Sequence, residues 1–170
     1  ALTRNVSQRK ITETYLRVAA VAFTSHEGMA VTDANEEVLR VNPSFTEITG
    51  YTTADAVGKK LDFLYSGRHE LAYYENILTS VAQTGSWRGE VWSRRKNGEI
   101  FPTQCSVTAV FDDDGQITHY VHSLTDITQR KAGERAARYL RDAVQAIPEA
   151  FAIYDTDDRL LLCNQSYLAF

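Results

Sequence analysis

The stretch Glu27–Phe45, EGMAVTDANEEVLRVNPSF, decides the fold, and the chain writes it twice. It returns without a gap as Glu149–Tyr167, EAFAIYDTDDRLLLCNQSY. Glu27, Ala30, Asp33, Leu39, Asn42 and Ser44 recur as Glu149, Ala152, Asp155, Leu161, Asn164 and Ser166. Met29, Val31, Val38, Val41 and Phe45 are answered apolar for apolar by Phe151, Ile153, Leu160, Cys163 and Tyr167. Average composition would give about one identity by accident, so this is a duplicated unit. In the first copy a short apolar run, Gly28 to Thr32, meets the turn chemistry of Asp33-Ala34-Asn35-Glu36. Val38 to Val41 then returns as the second arm of a hairpin. Asn42-Pro43-Ser44 opens a helix, with Asn42 as its cap and Pro43 where a missing N–H costs nothing. Phe45, Ile48 and Thr49 face inward, and Gly50 supplies the left-handed stop. The second copy breaks off at Phe170, so the expectation is one complete module and the start of another, within a longer protein.

Working outward, Thr53 to Val57 is a further helical turn, and Arg68 to Thr84 is the longest internal helix. Leu71, Tyr74, Ile77, Leu78 and Val81 form its buried stripe, and Gly85 terminates it. Three strands follow. Trp87 to Lys96 turns at Asn97-Gly98, Ile100 to Phe111 turns at Asp112–Gly115, and Ile117 to Thr125 completes the set. The expected class is α+β: a five-stranded antiparallel sheet with helices on one face. Amphipathic helices flank it, one over Ser7 to Ser25 and one over Ile127 to Ala146, where Asp126 can cap. Ala132, Ala136, Tyr139, Leu140, Ala143 and Ile147 stripe the second, as in a helix that pairs with its twin or packs on a sheet. The expected organisation is residues 1–26 an N-terminal helix, 27–128 the module, 129–146 a helical linker and 147–170 the second copy.

The 170 residues are 44% hydrophobic and 24% charged, ordinary for a chain that buries a real core. A net charge of -4 leaves no electrostatic footprint for nucleic acid, and the run Arg94-Arg95-Lys96 reads as a solvated strand end. Cys105 and Cys163 lie in different copies without metal spacing, which fits a reducing, cytoplasmic compartment. The longest apolar stretch, Val18 to Phe23, is six residues, against the ~20 needed to span a bilayer. Phosphate loop, nucleophile elbow and zinc spacing are all missing, so a regulatory rather than an enzymatic role is expected.

The segments Val31–Lys60 (VTDANEEVLRVNPSFTEITGYTTADAVGKK), Trp87–Pro102 (WRGEVWSRRKNGEIFP) and Asp112–Thr128 (DDDGQITHYVHSLTDIT) resemble the PAS sensor family. The resemblance covers about Glu27 to Thr128 and resumes near Ile147. It implies a cupped sheet enclosing a pocket with the long helix, and a junction at Asp126-Ile127-Thr128 where pocket changes become helix motion. It also implies homodimerisation through the flanking helices and an output domain in cis. Arg68–Glu99 looks most like PAS modules of cyclic di-GMP signalling proteins and of flavin-binding redox sensors. A diguanylate cyclase, a phosphodiesterase or a histidine kinase is therefore the expected output.

Because PAS domains share a scaffold and bind many molecules, fold does not fix the ligand. Flavin, as FAD, leads: its ring needs a flat apolar slot with a few polar groups at one edge. Strand alternation sets Trp87, Gly89, Val91 and Ser93 on one face, and Trp87 stands where flavin-binding redox sensors also carry tryptophan. Ser93 and Thr103 align with asparagines that bond the ring in such relatives; Gln104 substitutes if the strand face is reversed. Asn42 and Ile48 complete the candidate cofactor contacts. Light-driven adduct chemistry is disfavoured, because Gly58-Lys59-Lys60 leads to Leu61 where light-sensing relatives carry a reactive cysteine. Haem is the second candidate and needs an imidazole from the long helix; His69 lies only at its start. His119 and His122 face opposite ways on the last strand, so one can line the cup. The rival class is a ligand-free interaction module.

Overall fold

The structure, a computed structural model, describes Phe23 and residues 25–169. The helix expected over Ser7 to Ser25, and dimerisation through it, lie outside the described residues apart from their last few positions. The chain forms two compact units, one ending at Ile127 and the other beginning at Thr128.

In the first unit, β1 (Gly28–Asp33) and β2 (Val38–Val41) form the leading hairpin. Its turn is held by Asp33, whose Oδ1 accepts from the amides of Asn35 and Glu37, both at 2.9 Å. Then come α1 (Pro43–Thr49), α2 (Thr53–Ala56), a 3-10 turn (Leu61–Leu64) and α3 (Leu71–Thr84). Gly50 and Gly85 close α1 and α3 at φ 77 and 84, a region that a Cβ disfavours. β3 (Ser86–Arg94), β4 (Ile100–Phe111) and β5 (Ile117–Asp126) complete a five-stranded sheet in the order β2-β1-β5-β4-β3. Every neighbouring pair is antiparallel. The α+β class and the five-stranded sheet are as expected from the sequence.

Three local expectations differ. The long helix begins at Leu71 rather than Arg68, and Leu71 is 72% exposed instead of joining the buried stripe. As the first helical residue it lies beyond the part of α3, Ile77 and Val81, that packs on the sheet. The β3–β4 connection is longer than a two-residue turn: Arg95 N donates to Glu99 O and Gly98 N to Arg95 O. Asp126 ends β5, where Arg95 bonds its carboxylate.

Two apolar clusters make the core. Ala30, Val38, Val41, Phe45, Ala56 and Leu124 pack beneath α1 and α2. Ile77, Val81, Val91, Val107, Ala109 and Tyr120 pack between α3 and the far side of the sheet. The first is organised by Asn42, which is 1% exposed. Its Oδ1 accepts from Met29 N and Phe45 N at 2.8 Å each. Its Nδ2 donates to Phe23 O at 3.0 Å and Glu27 O at 2.8 Å. One amide thus ties the approach to β1, β1 itself and the first turn of α1.

The second unit repeats this device. It holds α4 (Thr128–Gln145), β6 (Ala152–Tyr154), β7 (Leu160–Cys163) and α5 (Gln165–Leu168). Asn164 accepts from Phe151 N and Tyr167 N, and donates to Ile147 O and Glu149 O. Asp155 bonds the amides of Asp157 and Arg159 as Asp33 does those of Asn35 and Glu37. On α4, Tyr139 and Leu140 are 66% and 60% exposed.

Replacing Asn42 with Ala leaves two donors and two acceptors without their partner. The expected loss is about 3 kcal/mol, read from the urea midpoint. Asn42→Asp keeps the acceptor and loses both donations, so its midpoint should fall between the two.

Candidate functional site

The two clusters do not meet everywhere. Between them lies a cavity of about 140 Å³. Most of its sheet wall follows strand parity, although Trp92, Ser106 and Ser123 of the other parity also border it. Trp87, Val91 and Ser93 face inward from β3, Cys105 and Val107 from β4, and His122 and Leu124 from β5. Tyr74, Ile77 and Leu78 of α3 form the opposite wall, and Leu61, Leu64 and Tyr65 close one side. Glu36, Lys60 and Asp62 border it where the chain meets solvent, with Lys60 Nζ 3.8 Å from Glu36 Oε1.

Trp87 owes its place to a missing side chain. A Cβ on Gly89 would stand 2.4 Å from Cζ2 of Trp87, so the indole lies along the strand over Gly89 only because that residue is glycine. Ser93 is 7% exposed and pairs as an isolated bridge with Tyr65. Tyr65 in turn stacks on Tyr74, ring centroids 3.5 Å apart. The Tyr74 hydroxyl is buried without a hydrogen bond of normal geometry, although Ser66 lies close enough to influence it.

The electrostatics are uniform. Burial pushes the Tyr65 hydroxyl up to about 12, raises Tyr74 and pushes the Cys105 thiol up to about 12. Burial pushes His122 down to about 4. All four are therefore neutral at pH 7. Cys105 and His122 keep partial accessibility because they face the cavity. His122 Nε2 lies 3.3 Å from Thr32 Oγ1.

Of the residues expected at the site, Trp87 and Ser93 line the cavity and the others do not. Thr103 is fully buried within the sheet, its Oγ1 without a partner. Gln104 points to the outer face and donates to Gly89 O at 2.9 Å; the strand face is not reversed. Asn42 spends both ends of its amide on backbone, and Ile48 packs on the α1 cluster instead. The haem expectation needed an imidazole on the long helix. His69 precedes that helix, accepts from Trp92 N at 3.4 Å and stacks on Tyr73. Of the two strand histidines, His122 lines the cavity, whereas His119 bonds its neighbour Thr118. Sequence reading passed over Cys105 and Val107, although they share the parity of Thr103 on β4. It had no signal for Tyr65, which a 3-10 turn delivers.

Comparison with known proteins bears directly on this architecture. A family model described as a PAS domain matches residues 26–129, and a second PAS model matches residues 138–170. The chain belongs to the PAS domain family. It is 26% identical over 146 residues to the nitrogen fixation regulatory protein of Klebsiella oxytoca, covering 84% of this chain and 30% of that one. It is 27% identical over 151 residues to a blue-light-activated histidine kinase of Rhizobium johnstonii, covering 84% and 44%. A solved PAS domain from Colwellia psychrerythraea shares the fold, with a TM-score of 0.64 at 22% identity, over 68% of this chain and 98% of that one. An RNA-binding light-oxygen-voltage receptor does so at 0.64 and 21%, over 74% and 36%. This PAS domain is thus a sensory domain of the kind found in signal-transduction proteins, and the chain spans less than half of either curated relative. Among the described residues no helix is long and apolar enough to cross a membrane.

Two expectations arise from the cavity. Gly89→Ala should displace the indole, cost about 1–3 kcal/mol and shift Trp87 fluorescence to the red in a Trp92→Phe background. His122 binds a proton in the unfolded chain near its ordinary 6.5 but only near 4 when folded. Its contribution is complete above 6.5 and is lost as pH falls toward 4, by up to about 3 kcal/mol. Urea midpoints at pH 7 and pH 4.5 should therefore fall further apart in the parent than in His122→Asn. Equal falls would assign the acid sensitivity to other groups.

Proposed function

We propose that this PAS domain is the sensory input of a signal-transduction protein whose output domain lies in cis. In this reading the occupant of the cavity biases the exit of β5 into α4. The observation that carries the reading is continuity. His122 and Leu124 line the cavity, Asp126 ends the same strand, and Ile127 alone separates it from α4, which starts at Thr128. Ile127 is 4% exposed and its N–H donates to Pro102 O at 3.1 Å. Arg95 bonds both the Asp126 carboxylate and the Ile48 carbonyl. A shift of the inner strands therefore reaches this junction through hydrogen bonds. A bias of ~1–3 kcal/mol suffices for useful control. The exposed Tyr139 and Leu140 of α4 suit pairing with the same helix of a second copy.

Flavin is the occupant suggested by the sequence resemblance, and Trp87 and Ser93 on the cavity wall support it. The cavity is close in size to the ~150 Å³ engineered cavity that takes a benzene ring. Three fused rings require the Leu61–Leu64 turn to stand further out. If flavin is the occupant, the purified protein is yellow and Trp87→Ala loses the colour; a flavin spectrum unchanged in that variant would refute the ring placement.

Relay to the junction is tested by filling the cavity. Leu78→Trp should change hydrogen exchange at the Ile127 amide about fivefold or more, while Gln83→Trp, on the exposed side of α3, should not. Identical exchange in both variants would sink the relay.

A further inference from the structure

The cavity's size, walls and one unsatisfied hydroxyl together specify a ligand class, and this step rests on the sensory reading of the cavity given above. We propose that it takes an uncharged, single-ring aromatic molecule carrying a hydrogen-bond acceptor, with that acceptor on the Tyr74 hydroxyl.

Four observations converge. The volume of about 140 Å³ matches one six-membered ring with a small substituent. Flat surfaces border it: Trp87 lies along β3 over Gly89, and the Tyr65–Tyr74 stack stands across from the strands. Planar rings pack on such surfaces by offset stacking or edge contact. Next, the Tyr74 hydroxyl is buried without a normal hydrogen-bond partner. The nearby Ser66 hydroxyl accepts from Arg68 N at 3.2 Å and influences Tyr74 without meeting hydrogen-bond geometry to it. A phenolic O–H left unpaired in an apolar wall is costly, and an acceptor on the ligand would relieve it. Last, of the charged residues at the border, Lys60 and Asp62 are solvent-exposed and Glu36, half-buried, lies 3.8 Å from Lys60, while burial holds Tyr65, Cys105 and His122 neutral. A charged group in the interior would lose its hydration there, with counter-ions only at the solvent border. Carboxylates and ammonium groups are thereby disfavoured, and ketones, esters and quinone-like carbonyls favoured.

The test uses the 170-residue chain with four probes: acetophenone, benzoate, toluene and riboflavin. Binding is read by the rise in thermal midpoint and by quenching of Trp87 in a Trp92→Phe background. Acetophenone is expected to bind and quench, and benzoate to bind at least about tenfold more weakly. Tyr74→Phe should weaken acetophenone about tenfold and leave toluene unchanged, so that toluene reports whether the variant keeps its cavity. Three outcomes overturn the proposal. These are benzoate binding as tightly as acetophenone, Tyr74→Phe weakening both neutral probes alike, and binding of riboflavin alone. The last would leave the sensory reading standing with a larger occupant. A fourth outcome, failure of all four probes, would overturn the proposal as well and leave the sensory reading to the exchange experiment at Ile127.

Discussion

The amide of Asn42 is the constraint on which the rest of this domain depends. A helix leaves its first N–H groups unpaired, and a strand entering a sheet must fix where its approach lies. Asn42 meets both demands with one side chain, bonding β1, the approach to it and α1 at once. Held in this way, α1 lays Phe45, which is fully buried, against Ala30 and Leu124. Gly28 permits that approach, since a Cβ there would meet Leu124 Cδ1 at 2.7 Å and the Phe45 backbone at 3.1 Å. Asn164 repeats the four bonds in the second unit. The duplicated sequence is therefore a duplicated hydrogen-bond junction as well.

With one end of the sheet closed by that junction and the other by Ile77 and Val81, the middle stays open. Close packing would ordinarily eliminate such a space, because voids forfeit dispersion contacts. Here the inner face carries the small side chains of Ser93 and Cys105 on the cavity wall. The resulting enclosure is apolar enough to keep a phenol protonated and an imidazole neutral. That is also why Cys105 is poorly suited to reactive chemistry: a thiol pushed up to about 12 supplies almost no thiolate.

The far end of β5 is tied down by a different chemistry. Arg95 lies over the Phe101 ring at 3.7 Å and bonds Ile48 O, Glu99 and Asp126. Its neighbour Lys96 donates its backbone N–H to Thr49 O and its ammonium to Asp55, at 2.7 Å. That ammonium, with Thr52, holds the Asp55 carboxyl well below the usual range. The β3–β4 turn is thus pinned to α1, α2 and the last residues of β5. A run of basic residues that reads as a solvated strand end is, in Arg95, a part-buried fastening at the domain's exit.

What the sequence determined by itself is the set of local choices. Alternation set the strands, Asn42 and Pro43 set the start of α1, Gly50 and Gly85 set two helix ends, and the repeat set the module. Each depends on residues within a turn or two, or on a period of two along a strand, and such signals survive without tertiary context. Trp87 and Ser93 fell on the right wall for the same reason. What the tertiary structure alone decided is which groups converge from different elements. Strand parity could not say that Asn42 would exhaust its amide on backbone, or that Gln104 would bond Gly89 across the sheet. Nor could it say that Tyr65 would arrive from a 3-10 turn to stack on Tyr74. Those placements rest on long-range closure of the chain, where shape and desolvation select partners that local propensity does not encode.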